Sequence, residues 1–307
     1  MQAEDFVNLF NSIYSRKIDS AYYYWRFGRQ DSNSFILSAQ DEQGLKGCIG
    51  YHLLDMGKFK TALVVDAMIA ERCRGDGKTF VYLNRKLEKC AKAHKAKALF
   101  MLPNSEGAKA WSADKQWTLA EHMTTHVHGT RTDHLGLLRY FRVQRFGQWV
   151  NNIESKFRMN NPELTCVRRN KSYLNWRFAN PMHDYEIYQV YLSRKSRPSG
   201  YIVLKTFTSP TTGEKTGDIV DILWGENDVC VVMDMLRIAL KKFHSENIHN
   251  VTMWLQTNTI LDAVGRFLGF VPTEQQRAFC VKALDRDYTH LAFPHNWFLT
   301  MADSEMY

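Results

Sequence analysis

The 307-residue sequence has no run of about 18 apolar residues, the length that a bilayer-spanning helix needs. It has no C-x-x-C pair. Its six cysteines, Cys48, Cys73, Cys90, Cys166, Cys230 and Cys280, are scattered, a pattern of reduced thiols in a cytoplasm rather than of a disulfide scaffold or a zinc site. The start lacks the basic and apolar stretches of a secretory signal. Met1-Gln2-Ala3-Glu4-Asp5 is acidic and leads into an amphipathic run with Phe6, Leu9, Phe10 and Ile13. No basic tail or arm accompanies the net charge of +8. The positives are dispersed: Lys86, Lys89, Lys92, Lys95 and Lys97 line one helix and its exit, and Arg139, Arg142 and Arg145 lie mid-chain. These absences argue for a cytoplasmic protein with no membrane insertion and no nucleic-acid role, whose mild positive field attracts small anions.

What is present concentrates at Val64-Val65-Asp66-Ala67-Met68-Ile69-Ala70-Glu71-Arg72-Cys73-Arg74-Gly75-Asp76-Gly77-Lys78-Thr79-Phe80. A β-branched, apolar run ends in a basic loop punctuated by glycines. An amphipathic run follows, with Phe80, Leu83, Leu87, Cys90 and Ala91 at helical spacing. Strand, tight loop and helix in that order aim unpaired backbone N–H groups and the positive end of the helix dipole outward. Such a place binds phosphate or pyrophosphate, and Arg72, Arg74 and Lys78 add charge to it. Gly77-Lys78-Thr79 ends like a Walker A loop, but Arg72 stands where its first glycine is needed. Gly75-Asp76-Gly77 supplies only half of a dinucleotide fingerprint.

The stretch resembles motif A of the GCN5-related N-acetyltransferases, Gln/Arg-x-x-Gly-x-Gly/Ala after a strand. Arg74-Gly75-Asp76-Gly77-Lys78-Thr79 matches it five residues after Ile69, with Thr79 in place of the last small residue. The register from Arg72 fits the pattern fully but suits the helix less well. The likeness continues through the strand Lys97–Pro103 to Asn104, a short helical run with Ala108, Ala110 and Trp111, and Trp117. Gln116-Trp117 stands where that family has a Gly-Phe-like pair. Trp111 stands where it often has a tyrosine acid.

An internal repeat sets the domain count. Tyr24-Trp25-Arg26-Phe27 recurs as Asn175-Trp176-Arg177-Phe178, Val65-Asp66-Ala67-Met68 as Val220-Asp221-Ile222-Leu223, Asn104 as Asn258, and Trp117 as Phe270 in Leu268-Gly269-Phe270. The offsets fall between 151 and 155 residues. Two tandem copies of one α/β unit, each a mixed sheet flanked by helices, are therefore predicted over 1–150 and 151–307. The second has Trp224-Gly225-Glu226-Asn227-Asp228 where the first has its basic loop, and Glu226 and Asp228 repel a pyrophosphate. It reads as a degenerate copy that walls the substrate cleft. Coarse periodicity predicts helices over 3–15, 19–27, 77–94, 106–114, 171–178, 228–246 and 259–268. Strands are predicted over 34–39, 46–56, 60–70, 97–103, 184–194, 199–208, 216–224 and 250–256. The segment 118–170 should hold the first copy's closing strands and the crossover, and 276–300 two or three closing strands.

The resemblance implies an acyl-CoA, in the first place acetyl-CoA, as co-substrate and a small amine as acceptor, plausibly a nucleotide-linked amino sugar. The chain end, Asn296 to Glu305, resembles the ends of tandem proteins of this type found near bacterial surface-polysaccharide genes. Backbone groups at Met68 and Ile69, freed by a bulge, would hold the pantetheine arm and thioester oxygen. Arg72, Arg74, Gly75, Asp76, Gly77, Lys78 and Thr79 would hold the pyrophosphate, with Asn104 and Trp111 completing the coenzyme site. The residues nominated for the chemistry are Asp66, Glu71, Asn104 and Tyr24. Asp66 also has a structural reading, because Asp221 keeps its place in the copy without the loop; Trp25 and Trp176 read as packing. His122, His126, His128 and His134 cluster, but no completing cysteine or carboxylate set makes a recognisable metal site, and none is predicted. An aminoacyl-tRNA-dependent transferase and a non-catalytic acyl-CoA-binding protein are the alternative readings.

Overall fold

The computed structural model describes residues 1–29, 31, 33–75, 77–112, 114–129, 139–192, 196–226, 228–257 and 259–304. The first half runs α1 (Ala3–Ile13), α2 (Ser20–Phe27), β1 (Ser34–Asp41), β2 (Gly44–Asp55), β3 (Lys60–Ile69), α3 (Lys78–Ala93), β4 (Ala96–Met101), α4 (Ser105–Ser112) and β5 (Thr118–Gly129). The rest runs β6 (Arg139–Val143), α5 (Trp149–Asn160), α6 (Lys171–Arg177), β7 (Glu186–Tyr191), β8 (Gly200–Thr208), β9 (Lys215–Trp224), α7 (Val229–Ser245), β10 (Asn250–Trp254), α8 (Ile260–Phe267) and β11 (Val271–Ala283).

These elements gather into two compact units that interleave along the chain. Unit 1 is Met1–Ala120, Ala179–Met182 and Phe279–Ala292; unit 2 is Glu121–Phe178, His183–Ala278 and Phe293–Tyr307. In unit 1, β1, β2 and β3 are antiparallel, β4 lies parallel to β3, and the end of β11 closes the sheet antiparallel to β4, from Cys280 opposite Met101 to Ala283 opposite Ala98. In unit 2 the order is β5-β10-β9-β8-β7-β6, with β10 parallel to β9 and the start of β11 beside β5. Each copy's closing strand has thus moved: β5, encoded in the first half, pairs with β10 from Thr125 to Gly129, and β11, encoded in the second, closes the sheet of unit 1.

Local sequence explains the elements. Asp19 caps α2 by accepting the amides of Ala21 and Tyr22. α1 and α2 lay Phe6, Leu9, Phe10 and Tyr22 over Cys48 and Met68, with Met182 packed against the same cluster. Complete burial of a side chain such as Phe6 contributes roughly 1.5–3 kcal/mol. α3 buries Leu83, Leu87 and Ala91, the stripe its periodicity foretells.

Two expectations need correction. The stretch 118–170 contains a full helix, α5, whose apolar Val150, Ile153 and Phe157 are buried and which stands to unit 2 as α1 stands to unit 1. After β11 no further strand forms among the described residues; the chain turns through short 3-10 segments at Arg286–Ala292, Pro294–Asn296 and Met301–Asp303. The charged run Asp285-Arg286-Asp287 and Pro294 favour turns over a ladder.

Candidate functional site

In unit 1, β3 pairs with β4 only as far as Leu63 opposite Phe100, although β3 continues to Ile69. The two parallel strands therefore part, and the last six residues of β3 run beside a gap. On its other side β3 carries a bulge against β2: Cys48 faces Met68 and Gly50 faces Val65, so Asp66 and Ala67 together oppose Ile49. Asp66 sits at φ 47°, a left-handed conformation unusual for a non-glycine. The bulge turns Ala67 outward in a strand otherwise buried from Thr61 to Met68. Beyond it Gly47 passes so close to Met68 that a Cβ would lie 2.5 Å from the Met68 carbonyl oxygen. A bulged strand facing a gap can offer backbone donors and acceptors to an extended ligand chain, and Met68 and Ile69 lie on this stretch.

The gap leads to the loop. Glu71–Cys73 forms a 3-10 turn, Gly75 takes φ 101°, and Gly77 takes φ 67° as the N-cap of α3. Gly77 offers no side-chain cap, and the first intrahelical bond runs from Val81 N–H to the Gly77 carbonyl at 3.0 Å. The amides of Lys78, Thr79 and Phe80 therefore have no acceptor within the 16-residue helix. No acidic residue stands in its first turn. Gly75, Gly77 and Lys78 are exposed, so the positive pole of the helix lies at the surface. Thr79 is buried and its Oγ1 has no hydrogen-bond partner. The set fits a diphosphate: a helix N-terminus with no side-chain cap on Gly77, its dipole, and cations beside it.

Not every residue nominated from sequence joins this set. Asp76 lies outside the described residues. Arg74 is on the loop, its Nε donating to the Ile69 carbonyl at 3.2 Å. Arg72 is engaged elsewhere, forking onto Asp41 at 2.8 and 2.9 Å and donating to the Gly44 carbonyl, so it clamps the β1–β2 turn. Its hydrogen bonds, foremost among the causes, hold the Asp41 carboxyl below its ordinary range. Asp66 is buried and accepts from Arg26 Nε at 2.9 Å, an ion pair 3% and 5% exposed. A carboxylate committed to a buried guanidinium is a structural counterion, and the recurring Arg of the Trp-Arg-Phe motif is what it holds. Glu71 is exposed on the turn that follows β3. Asn104 caps α4, its Oδ1 accepting the Gly107 amide at 2.7 Å. Trp111 is buried edge-on between Phe80 and Trp117, at ring distances of 4.7 and 5.0 Å, and so packs α4 onto α3. Tyr24 is 61% exposed on α2. His126 and His128 are buried on β5 of unit 2, and burial, the largest cause, lowers both below the ordinary imidazole value. His134 lies outside the described residues, and among those described no group of three or more metal-ligating side chains occurs.

The sequence reading missed a buried cation under α3. Lys282, 3% exposed on the strand supplied by the second half, pairs with Glu88 of α3 and with Asp114 at 2.9 Å. Asn84 of α3 donates to the same Asp114 carboxylate at 3.2 Å. Burial alone would raise the Asp114 carboxyl, but the bonds from Lys282, the Gln116 amide and Asn84 hold it below its ordinary range. The network fixes α3 against the Asp114–Trp117 turn. Nothing in the periodicity of 271–283 signals it, because β11 gives no hint of which sheet its end joins.

Unit 2 repeats the frame and fills it. β9 and β10 pair only to Asp218 opposite Thr252, again six residues before the strand ends at Trp224. Here the chain's last described segment lies in the way. Thr300 Oγ1 donates to Asp221 at 2.8 Å, and the Leu299 amide donates to Gln256, just past β10, at 2.8 Å. Arg169, 1% exposed, bridges Asp221 and Asp303 at 3.1 and 2.6 Å, while Arg177 donates to the carbonyls of Ala302 and Ser304. Residues 297–304 are buried throughout. The helix end differs too: Asp228 caps α7, its carboxylate accepting the Cys230 amide at 2.8 Å.

No protein-family model matches the sequence, and no curated protein matches it either. Solved structures do match in fold. A GCN5-related N-acetyltransferase from Anabaena variabilis superposes with a TM-score of 0.65 at 17% identity over 92% of this chain and 69% of that one. A tandem GNAT protein from the clavulanic acid biosynthesis pathway matches with a TM-score of 0.57 at 13% identity, over 91% of this chain and 93% of its own. The glucosamine N-acetyltransferase region of a fungal multi-domain β-N-acetylglucosaminidase gives 0.62 at 10% identity, over 91% of this chain and 36% of that one. The chain has the mixed α/β fold of GCN5-related N-acetyltransferases, at a length that accommodates two such domains.

Proposed function

We propose that the protein is an acyl-CoA-dependent N-acyltransferase whose working site is in unit 1, and that unit 2 is a copy of the fold without a coenzyme site. One observation carries the reading: α3 begins at an uncapped, left-handed Gly77 beside the gap between β3 and β4. When bound, acyl-CoA supplies an activated thioester to an attacking amine. The residues of the chain do the rest. The amides of Lys78 and Thr79, with Arg74 and Lys78, hold the diphosphate; the backbone at Met68 and Ile69 binds the extended arm and polarises the thioester oxygen. Asp66 and Arg26 lock the bulge that presents this backbone. Glu71, exposed on the turn after β3, is the carboxylate that takes the ammonium proton, and Asn104 holds the start of α4 at the far wall.

The acceptor class is a small amine, in our reading an amino sugar or other polysaccharide precursor. The fungal neighbour's action on glucosamine and the likeness of the chain end support that choice. The test is isothermal titration of acetyl-CoA and longer acyl-CoAs into the full chain, beside an Arg74→Glu/Gly77→Glu double variant. Micromolar binding at one site, lost in the variant, supports the reading. No binding of any acyl-CoA overturns it and brings forward an aminoacyl-tRNA-dependent transferase.

A further inference from the structure

Unit 2 carries a cavity that its filled gap does not explain. About 390 Å³ in volume, it lies between the start of α5, the turn before β8 and the turn after β9. Trp149, Asn152 and Lys156 line it from α5, Arg197 and Ser199 from the turn before β8, and Glu226 from the turn after β9. Its size is that of a small-ligand site, and its backbone is preformed. The Gly225 amide donates to the Ser199 carbonyl at 2.9 Å, and Asn160 donates to the Gly225 carbonyl at 3.3 Å.

Two features point to a ligand. Ser199, one of the lining residues, is 1% exposed, and its Oγ has no hydrogen-bond partner among the described residues. A buried hydroxyl without a partner is costly unless something that enters the site satisfies it. Secondly, the charges do not balance within the wall. Lys156 pairs with Glu226 at 3.2 Å, and Arg197, exposed, has no ion-pair partner among the described residues. One cation is left over, beside an indole and small polar groups. In unit 1 the Ala70 amide donates to the Lys46 carbonyl, the counterpart of the Gly225–Ser199 bond, but there Arg72 is bound to Asp41 and Gly44.

We propose that this cavity binds a phosphorylated sugar. The indole of Trp149 offers an apolar face to the carbon side of a pyranose ring. Asn152, Ser199 and Glu226 supply donors and acceptors for ring hydroxyls, the carboxylate accepting from two at once. Arg197 meets the phosphate through charge-assisted bonds. The ligand class follows from this combination, since an aromatic wall alone suits many rings and a cation alone suits any anion. The site is independent of the coenzyme reading for unit 1.

The experiment is isothermal titration of the full chain with glucose 6-phosphate, a UDP-hexose, unphosphorylated glucose and inorganic phosphate. It is repeated on Arg197→Glu and Ser199→Val, with melting temperature and acetyl-CoA titration alongside. Binding of glucose 6-phosphate or the UDP-hexose at least tenfold tighter than glucose or phosphate is expected, and which of the two binds identifies the source. Arg197→Glu, on the surface, should weaken it at least tenfold while melting temperature and acetyl-CoA affinity stay as in the parent. The proposal falls if neither sugar phosphate binds, if inorganic phosphate binds as well as they do, or if Arg197→Glu leaves their affinity unchanged.

Discussion

Helices α3 and α7 occupy the same place in two copies of one fold, yet their N-termini differ. α3 starts at Gly77, which offers no side-chain cap; α7 starts at Asp228, whose carboxylate takes the Cys230 amide. The strand gaps differ in the same sense. Beside β3 the backbone past Leu63 has no register with β4, whereas beside β9 the chain's own Leu299 and Thr300 are bonded to Gln256 and Asp221. Under the proposed function, the Asp228 carboxylate and the chain segment 297–304 take up in unit 2 the positions that a diphosphate and an extended arm would take in unit 1. A copy without a ligand is steadier when such groups find partners within the chain, because a buried polar group without one is costly.

The comparison breaks most forcefully at the buried ion pairs. Arg169→Ala strands Asp221 and Asp303, both at 1% exposure, without their cation. We expect a loss of about 3–5 kcal/mol in urea unfolding. Arg26→Ala removes the partner of Asp66 alone and should cost less; equal losses would show that the tail adds nothing to unit 2. Next comes Gly77→Asp, which puts a carboxylate at the start of α3, as Asp228 does at α7, at a φ of 67° where side chains are strained but aspartate less than most. Acetyl-CoA affinity should fall at least about tenfold, or about 1.4 kcal/mol, a larger effect than the loss of melting temperature from that strain. The reverse exchange, Asp228→Ala, should cost about 0.5–2 kcal/mol through the lost cap. It should create no second acyl-CoA site, since residues 297–304 still fill the gap; a titration stoichiometry of two would refute that.

The smallest effect concerns pH. His126 and His128 have pKa values lowered by burial, so the folded state binds fewer protons than the unfolded chain once pH drops below the ordinary imidazole value of about 6.5. Their contribution is present above that value and is lost as pH falls toward the folded pKa values. Melting curves between pH 7 and pH 5 should show unit 2 losing stability on acidification, and a His126→Gln/His128→Gln variant should show a flatter dependence.

The sequence made the local parts of this picture readable. Strand β3, its basic loop and α3 each declare themselves over a dozen neighbouring residues, and the Trp-Arg-Phe and Asp66/Asp221 landmarks reveal the duplication. Long-range partners were not readable. Arg72 looks like a phosphate ligand until Asp41, 31 residues earlier, is seen to hold it. Trp111 sits at an acid's position yet belongs to an aromatic stack with Phe80 and Trp117. That Asp228 acts by capping α7, and that Thr300 reaches Asp221, depend on backbone placement. The crossing of β5 and β11 was least visible of all, because the alternation of a strand specifies its faces and not its neighbours.

That crossing also sets an order of assembly during synthesis. Lys282 meets Glu88 across 194 positions, and Lys97 meets Asp285 across 188. The closing strand of unit 1 leaves the ribosome only after nearly all of unit 2 has been made. At about 5–20 residues per second, the edge of β4 waits on the order of ten to thirty seconds for its neighbour. The half translated first thus stays open until Phe279–Ala292 has been made, and during that interval its open edge is the place where a chaperone, or a wrong strand, would meet the nascent chain.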